Sequence, residues 1–239
     1  MSYEIVSEPV MAIDNPTNER ERELRLLGFE RIAGVDEVGR GALAGPVVAA
    51  AVLLPCDCII DGVRDSKLVA EPERERLYDV IVGCALAWSV GIVDNGEIDR
   101  INILQATFEA MRIAVRTLPI PPDYVLIDGR DAVPFGIPCR AIIDGDAFCH
   151  AIAAASLIAK VTRDRIMRTL DETHPQYGFA RHKGYATPQH RRAVIEHGPT
   201  AIHRRSFLGK VLEERGFTID DWKKASTKRD GRSIERPCD

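Results

Sequence analysis

Asp36 and Glu37 stand side by side at the end of an apolar run, Asp128 follows a second such run, and Asp146 closely follows a third. A carboxylate at the end of a buried strand is costly unless it is solvated, paired or bound to a cation. Taken singly, each is more commonly a turn former or a helix cap than a site residue. Three strand-end sites shift that balance, because ligand sites of α/β sheets lie off the strand ends. Oxygen-only donors without a His/Cys ligand pattern suit a hard cation, Mg²⁺ or Mn²⁺, rather than zinc. Neighbours on a regular strand face opposite sides, so Asp36 and Glu37 can share an ion only where the strand ends or bulges. Gly39 and Gly41 supply the expected break. Asp144 adds a fifth acid with no assigned task.

The elements that would carry these residues follow from periodicity. A short charged helix over 19–28 precedes an apolar strand over 31–36, and a glycine-rich turn leads to a second strand over 47–54. A helix over 72–84 and an alternating strand over 85–93 come next. Ile101, Leu104, Phe108, Met111 and Val115 predict one amphipathic helix over 97–118, ended by Pro119, Pro121 and Pro122. Strands over 124–127 and 139–143 and an alanine-rich helix over 151–169 complete a mixed five-stranded α/β sheet flanked by helices. The expected organisation is an N-terminal extension (1–29), a catalytic domain (30–172), a small helical C-terminal region (173–224) and a disordered polar tail (225–239).

Composition narrows the classes. The chain has 239 residues, 45% hydrophobic, enough for one sizeable core, and no apolar run of the ~20 residues that span a bilayer. Residues 1–15 lack the basic and apolar regions of a secretory signal. Six scattered cysteines read as reduced thiols, with Cys56 and Cys58 a poor zinc signature. A cytoplasmic protein is expected. The net charge of -4 is unevenly spread: residues 160–205 hold ten Lys/Arg against four Asp/Glu. That stretch suits either a phosphate-binding surface or a solvated charged face. Lys160 and Asp164, four apart on one helix, read as a surface ion pair or a phosphate contact. The histidines 174, 182, 190, 197 and 203 match no compact ligand set and read as hydrogen-bonded or solvated. Trp88 and Trp222 read as core and tail-anchoring residues.

Specific strings now carry more. Ala33-Gly34-Val35-Asp36-Glu37-Val38-Gly39-Arg40-Gly41 resembles the N-terminal signature of bacterial ribonuclease HII. The resemblance continues, in order, through Asp65-Ser66-Lys67, Val125-Leu126-Ile127-Asp128-Gly129, Gly145-Asp146, Ala154 to Asp164, His182-Lys183-Gly184-Tyr185 and Arg204-Arg205-Ser206-Phe207. It implies a ribonuclease H-like fold and an endonuclease that cuts RNA in RNA–DNA hybrids and at ribonucleotides embedded in duplex DNA. It also implies that Asp36, Glu37, Asp128 and Asp146 are the catalytic, metal-binding acids. By the same resemblance, Gly39, Arg40 and Gly41 read the ribonucleotide, Tyr185 stacks beside its sugar, and Ser66 and Lys67 hold backbone phosphates. The implied cofactor is Mn²⁺ or Mg²⁺, two ions ~4 Å apart, and the products carry 5′-phosphate and 3′-hydroxyl ends. A monomer is expected, and a sliding clamp could be a partner, although the tail has no obvious aromatic clamp-binding motif.

The chain departs from the family at Asp144, where lysine is frequent, at Ala147, and in the run Asp65-Ser66-Lys67-Leu68-Val69-Ala70. Three alternatives compete: ribonuclease HIII, a non-catalytic binder of hybrids, and a metal-dependent phosphatase for small esters. The first usually has an extra N-terminal substrate-binding domain, which thirty mostly polar residues cannot supply. The second has no use for four strand-end acids, and the third none for a basic surface.

Overall fold

Seven consecutive apolar residues, Val47–Leu53, are all buried and form the strand β3, one strand in from an edge of the sheet. In the computed structural model, which describes residues 4–6 and 15–213, β3 pairs on one side with β2 (Ile32–Val38) and on the other with β4 (Ala87–Val93), both antiparallel. β5 (Tyr124–Asp128) runs parallel to β2, and β6 (Cys139–Ile142) parallel to β5. These are the five expected strands of the mixed sheet. A short additional strand, β1 (Glu4–Val6), pairs in parallel with β6, so the order is β1-β6-β5-β2-β3-β4.

The helices of the first part of the chain are α1 (Glu19–Leu26), α2 (Glu71–Cys84), α3 (Asn95–Ile101), α4 (Ile103–Arg116), α5 (Gly145–Phe148) and α6 (His150–Thr173). The single helix expected over 97–118 is two. Asn102 takes a left-handed φ of 68°, which closes α3, and its side-chain oxygen accepts from the N–H groups of Leu104 and Gln105, which opens α4. Gly91 on β4 lets α4 lie against the sheet, since a Cβ there would overlap the Ala110 carbonyl. Gly34 on β2 does the same for the start of α6 at Ala151. Ala153, Ala154, Leu157 and Ile158 of α6 then pack with Ala50 and Val52 of β3 and with Leu77 and Ile81 of α2.

The chain divides into two compact units. The first holds the chain to Arg40 together with Pro46–Ile166, and the second holds Gly41–Gly45 and the chain from Met167. The division falls within α6, a short way before the boundary expected near 172, and the second unit recruits a short segment from far upstream. Its described elements are the end of α6, α7 (Phe179–His182), α8 (Pro188–His197), a 3₁₀ turn (Arg205–Phe207) and α9 (Gly209–Glu213). Leu43, Met167, Tyr177, Phe179, Val194 and Leu208 are among its buried core residues. Trp88 packs partly buried against the core of the first unit, edge-on to Tyr78. Trp222, Cys238 and the tail lie outside the described residues. The five described cysteines are free. No helix among the described residues is long and apolar enough to cross a membrane.

Candidate active site

Asp36 lies within β2, not beyond its end: the β2–β3 ladder continues unbroken through Asp36↔Ala50, Glu37↔Ala49 and Val38↔Val48. The bulge expected from Gly39 and Gly41 is therefore absent. The break lies on the other side of the strand, where β5 pairing stops at Val35↔Ile127. Beyond that point the β5-facing edge of β2 is open, and both acids interact electrostatically with Asp128 at the end of β5. Asp36 is only 5% exposed and its Oδ1 accepts from the Glu37 N–H at 2.7 Å.

Asp128 Oδ1 accepts from the Gly145 N–H at 2.7 Å, which ties the end of β5 to the start of α5. Gly145 has to be small, because a Cβ there would press on Ile152 at 2.7 Å and on the same Asp128 oxygen at 3.3 Å. Asp146 follows in the first turn of α5. Asp144, at a left-handed φ of 53°, makes no side-chain cap to α5, and its charge bears on both Asp128 and Asp146.

The four acids share one electrostatic environment. Burial raises the Asp36 pKa well above the ordinary value, and Glu37, Asp128 and Asp146 raise it further, while a hydrogen bond with Ser156 opposes them. Glu37 is raised by burial against the pull of Arg40, whose Nη1 lies 3.6 Å from its Oε1. Asp128 is raised by burial despite its bond from Gly145, and Asp146 is pushed up to about 6 by burial and by Asp128. Lys67 Nζ stands 3.8 Å from Asp146 Oδ2. Burial works against its charge, but Asp65, Asp146, Asp36 and Asp128 outweigh that and hold the ammonium above its usual value.

Among the described residues no three His, Cys, Asp or Glu side chains are arranged as ligands around one ion. Mg²⁺ and Mn²⁺ do not need such a cage, since one or two carboxylates suffice when waters and substrate phosphates complete the shell. The donor set fits a hard cation on two counts. It offers oxygens only, and its carboxylates are raised by burial and mutual repulsion, a state that a cation relieves.

Ser66 joins this group through a partner that no sequence reading singled out. Its hydroxyl is 3.1 Å from that of Ser156 on α6, which also hydrogen-bonds Asp36. Ser156 and Arg163 are seven apart, two helical turns, and so face the same side of α6; that spacing was the available signal. Arg163 is fully buried and donates from Nε to the Pro46 carbonyl at 2.9 Å. Arg74, which no motif pointed to, donates to the carbonyls of Ser66 and Val69 and lies 3.6 Å from Asp164 Oδ2. Asp164 is 2% exposed and accepts from Lys160 Nζ at 2.7 Å. The Lys160–Asp164 pair is therefore a largely buried ion pair behind the loop 65–70 rather than a surface one.

The basic stretch over 160–205 divides between buried and exposed charges. Arg163, Lys183 and Arg204 are buried, and Arg204 donates to the Gly45 carbonyl, so these charges organise backbone rather than face solvent. Arg181, Arg192 and Arg205 are exposed. Gly41 and Tyr185 belong to the second unit, where Ala42 and Tyr185 pair through their backbones. His182, His190 and His203 are buried there and hydrogen-bonded, one of the two states expected of them.

Residues 33–210 match the family model described as Ribonuclease HII. A curated Ribonuclease HII of Geobacter metallireducens is 55% identical over 182 residues, covering 76% of this chain and 85% of that one. The crystal structure of the ribonuclease H2 from Pyrococcus horikoshii superposes with a TM-score of 0.66 at 28% identity, over 79% of this chain and all of that one. The RNase HII in the PCNA complex from Archaeoglobus fulgidus superposes with a TM-score of 0.62 at 27% identity, over 73% and 94% of the two chains.

Proposed function

This chain belongs to the ribonuclease HII family, and from that premise we propose that it hydrolyses the RNA strand of RNA–DNA hybrids and cuts 5′ of ribonucleotides embedded in duplex DNA. The observation that carries this reading is the set of four mutually perturbed acids, Asp36, Glu37, Asp128 and Asp146, at the open edge between β2 and β5. In this proposal they are the catalytic acids and hold Mn²⁺ or Mg²⁺. A cation held there would supply Lewis acidity toward the phosphodiester and toward a water nucleophile.

The remaining tasks fall to the chain itself. Gly145 N–H and Ser156 orient Asp128 and Asp36 before any cation arrives. Lys67, 79% exposed at its side chain and beside Asp146, is placed to meet a substrate phosphate, and Ser66 is proposed to share that contact. Discriminating RNA from DNA requires donors and acceptors at the 2′-hydroxyl. Gly39, Arg40 and Gly41 are assigned that reading, since glycines let backbone groups approach closely. Tyr185 is assigned the face of the sugar. Hydrolysis leaves 3′-hydroxyl and 5′-phosphate ends. A sliding clamp is proposed as a partner by likeness to the A. fulgidus protein, whose structure is a PCNA complex.

The test is a DNA duplex with one embedded ribonucleotide, incubated with the protein and Mn²⁺ or Mg²⁺. Cutting on the 5′ side of the ribonucleotide, lost in Asp36→Asn, supports the proposal. An uncut substrate with either metal at high protein concentration sinks it, and binding without cutting marks a non-catalytic hybrid binder.

A further inference from the structure

Three histidines far apart in sequence meet within the second unit. The rings of His182 and His190 stack at 4.4 Å, and His190 Nε2 lies 3.1 Å from His203 Nε2. All three are buried. Burial lowers the pKa of each, to about 4 for His190 and about 3 for His203, so the rings are neutral near pH 7. A neutral imidazole carries one N–H, and its place is set by what the other nitrogen must do.

The neighbours leave one consistent arrangement. The backbone N–H of Thr200 can only donate, and it points at His203 Nδ1 at 2.9 Å. His203 must therefore carry its proton on Nε2 and donate it to His190 Nε2. His190 then carries its proton on Nδ1, which lies 2.9 Å from the Tyr185 carbonyl, a group that can only accept. The relay starts at an obligate donor and ends at an obligate acceptor, so neither ring can reverse without breaking a buried bond. Two further bonds complete the hold on Tyr185. Its carbonyl accepts from Thr187 N–H at 2.8 Å, and its own N–H donates to the His182 carbonyl at 2.9 Å. His182 is anchored in turn, with Nε2 2.8 Å from the Tyr177 carbonyl and Nδ1 accepting from Gly184 N–H.

We propose that His190, with its tautomer set by His203, is a positioning residue that fixes the Tyr185 peptide and thereby aims the Tyr185 ring at the ribose. The inference rests on the sugar-facing role given to Tyr185 above. Peptide orientation matters because a ring on a loop is only as well aimed as its backbone, and a misplacement of about 1 Å can cost up to 10²-fold in rate.

The experiment uses the full chain and the duplex with one embedded ribonucleotide, comparing Tyr185→Ala, His190→Leu, His190→Asn and the double variant Tyr185→Ala/His190→Leu. Asparagine keeps an amide donor near the position of Nδ1, whereas leucine fills the space without one. Tyr185→Ala and His190→Leu are each expected to lower kcat/KM about tenfold, and the double variant no further than Tyr185→Ala alone, as for residues acting through one contact. His190→Asn is expected to stay within about threefold of the parent chain. Additive losses in the double variant would overturn the inference while leaving the role of Tyr185 standing. An unaffected Tyr185→Ala would overturn that role and the inference with it. Should His190→Leu fail to fold, ¹⁵N-histidine NMR of the parent chain decides: His190 protonated on Nδ1 and His203 on Nε2 supports the relay, and the reverse pattern ends it.

Discussion

Arg163 occupies the space that a side chain at Gly39 would need: a Cβ there would lie 2.7 Å from Arg163 Cδ, 2.9 Å from Cζ and closer still to Nε. Gly39 also holds a φ of 97°, which favours glycine. The two constraints are independent, and both fall on the turn that follows Asp36 and Glu37. Gly39→Ala is therefore expected to destabilise the chain by about 1–3 kcal/mol and to raise KM for the ribonucleotide substrate. Urea unfolding and steady-state kinetics check this, and a variant with parental stability and KM would show that the turn adapts freely.

Asp36 is buried among like charges, so its carboxylate opposes folding when no cation is bound. Asp36→Asn is expected to abolish cleavage yet to stabilise the cation-free chain by about 1 kcal/mol, a rise in Tm of roughly 2–4 °C. Thermal unfolding in EDTA measures it. A lower Tm would mean that the carboxylate is structurally needed.

Adding Mg²⁺ or Mn²⁺ is expected to raise the Tm of the parent chain in a concentration-dependent way, as any ligand of the folded state does. The shift should shrink in Asp128→Asn and Asp146→Asn. Equal shifts in parent and variants would place cation binding elsewhere.

Two sets of groups give stability opposite slopes in pH. Asp146 titrates at about 6 in the folded chain against 3.8 ordinarily, so its contribution is fully present below about pH 4 and is lost as pH rises through 6. His150 and His190, lowered to about 4, and His203, lowered to about 3, act the other way. Their contribution is present above about 6.5 and is lost as pH falls toward their folded values. Asp36, Glu37 and Asp128, raised in the same direction, share the first slope, and Asp146→Asn removes its part without touching the histidines. Its stability relative to the parent chain should grow from pH 4 to pH 7, reaching on the order of 2 kcal/mol without cation. A difference independent of pH would refute the assignment.

Asp164 balances Lys160 and Arg74, and Arg74 holds the carbonyls of Ser66 and Val69. Asp164→Asn leaves both cations without their counter-ion and is expected to cost about 3 kcal/mol. KM should rise as well, because the loop carrying Ser66 and Lys67 loses its brace. Unchanged KM in a folded variant would confine Asp164 to stability.

Much of this was legible in the sequence where the signal was periodic. The five expected strands form with ends within about two residues of those read from apolar runs, the usual uncertainty of such ends. The acids stood out because a charge interrupts each run. The source of the Glu37 opening was misread for a physical reason: it depends on where the neighbouring β5 stops pairing, and no local residue records that. Asn102 escaped because an asparagine inside an apolar period looks like a polar face until its φ is known. Charge counting over 160–205 could not tell a guanidinium that holds buried carbonyls, such as Arg163 or Arg204, from one that meets solvent. The histidine relay was invisible because its members, 182, 190 and 203, are joined only by folding. The strand at Glu4–Val6 is three residues long, too short for any pattern to declare.

Residues 41–45 find their backbone partners far downstream: Leu43 bonds Gly184 and Arg204, and Gly45 bonds Ile202 and the Arg204 side chain. A nascent chain emerges from its N-terminus, so Asp36, Asp128 and Asp146 are all made before these partners exist. A translation product arrested at residue 170 would hold all four clustered acids and still lack the backbone that seats residues 41–45, Tyr185 included. The order of synthesis thus places all four acids before the partners of residues 41–45, and a chain cut short before Arg204 keeps the acids while that segment stays unseated.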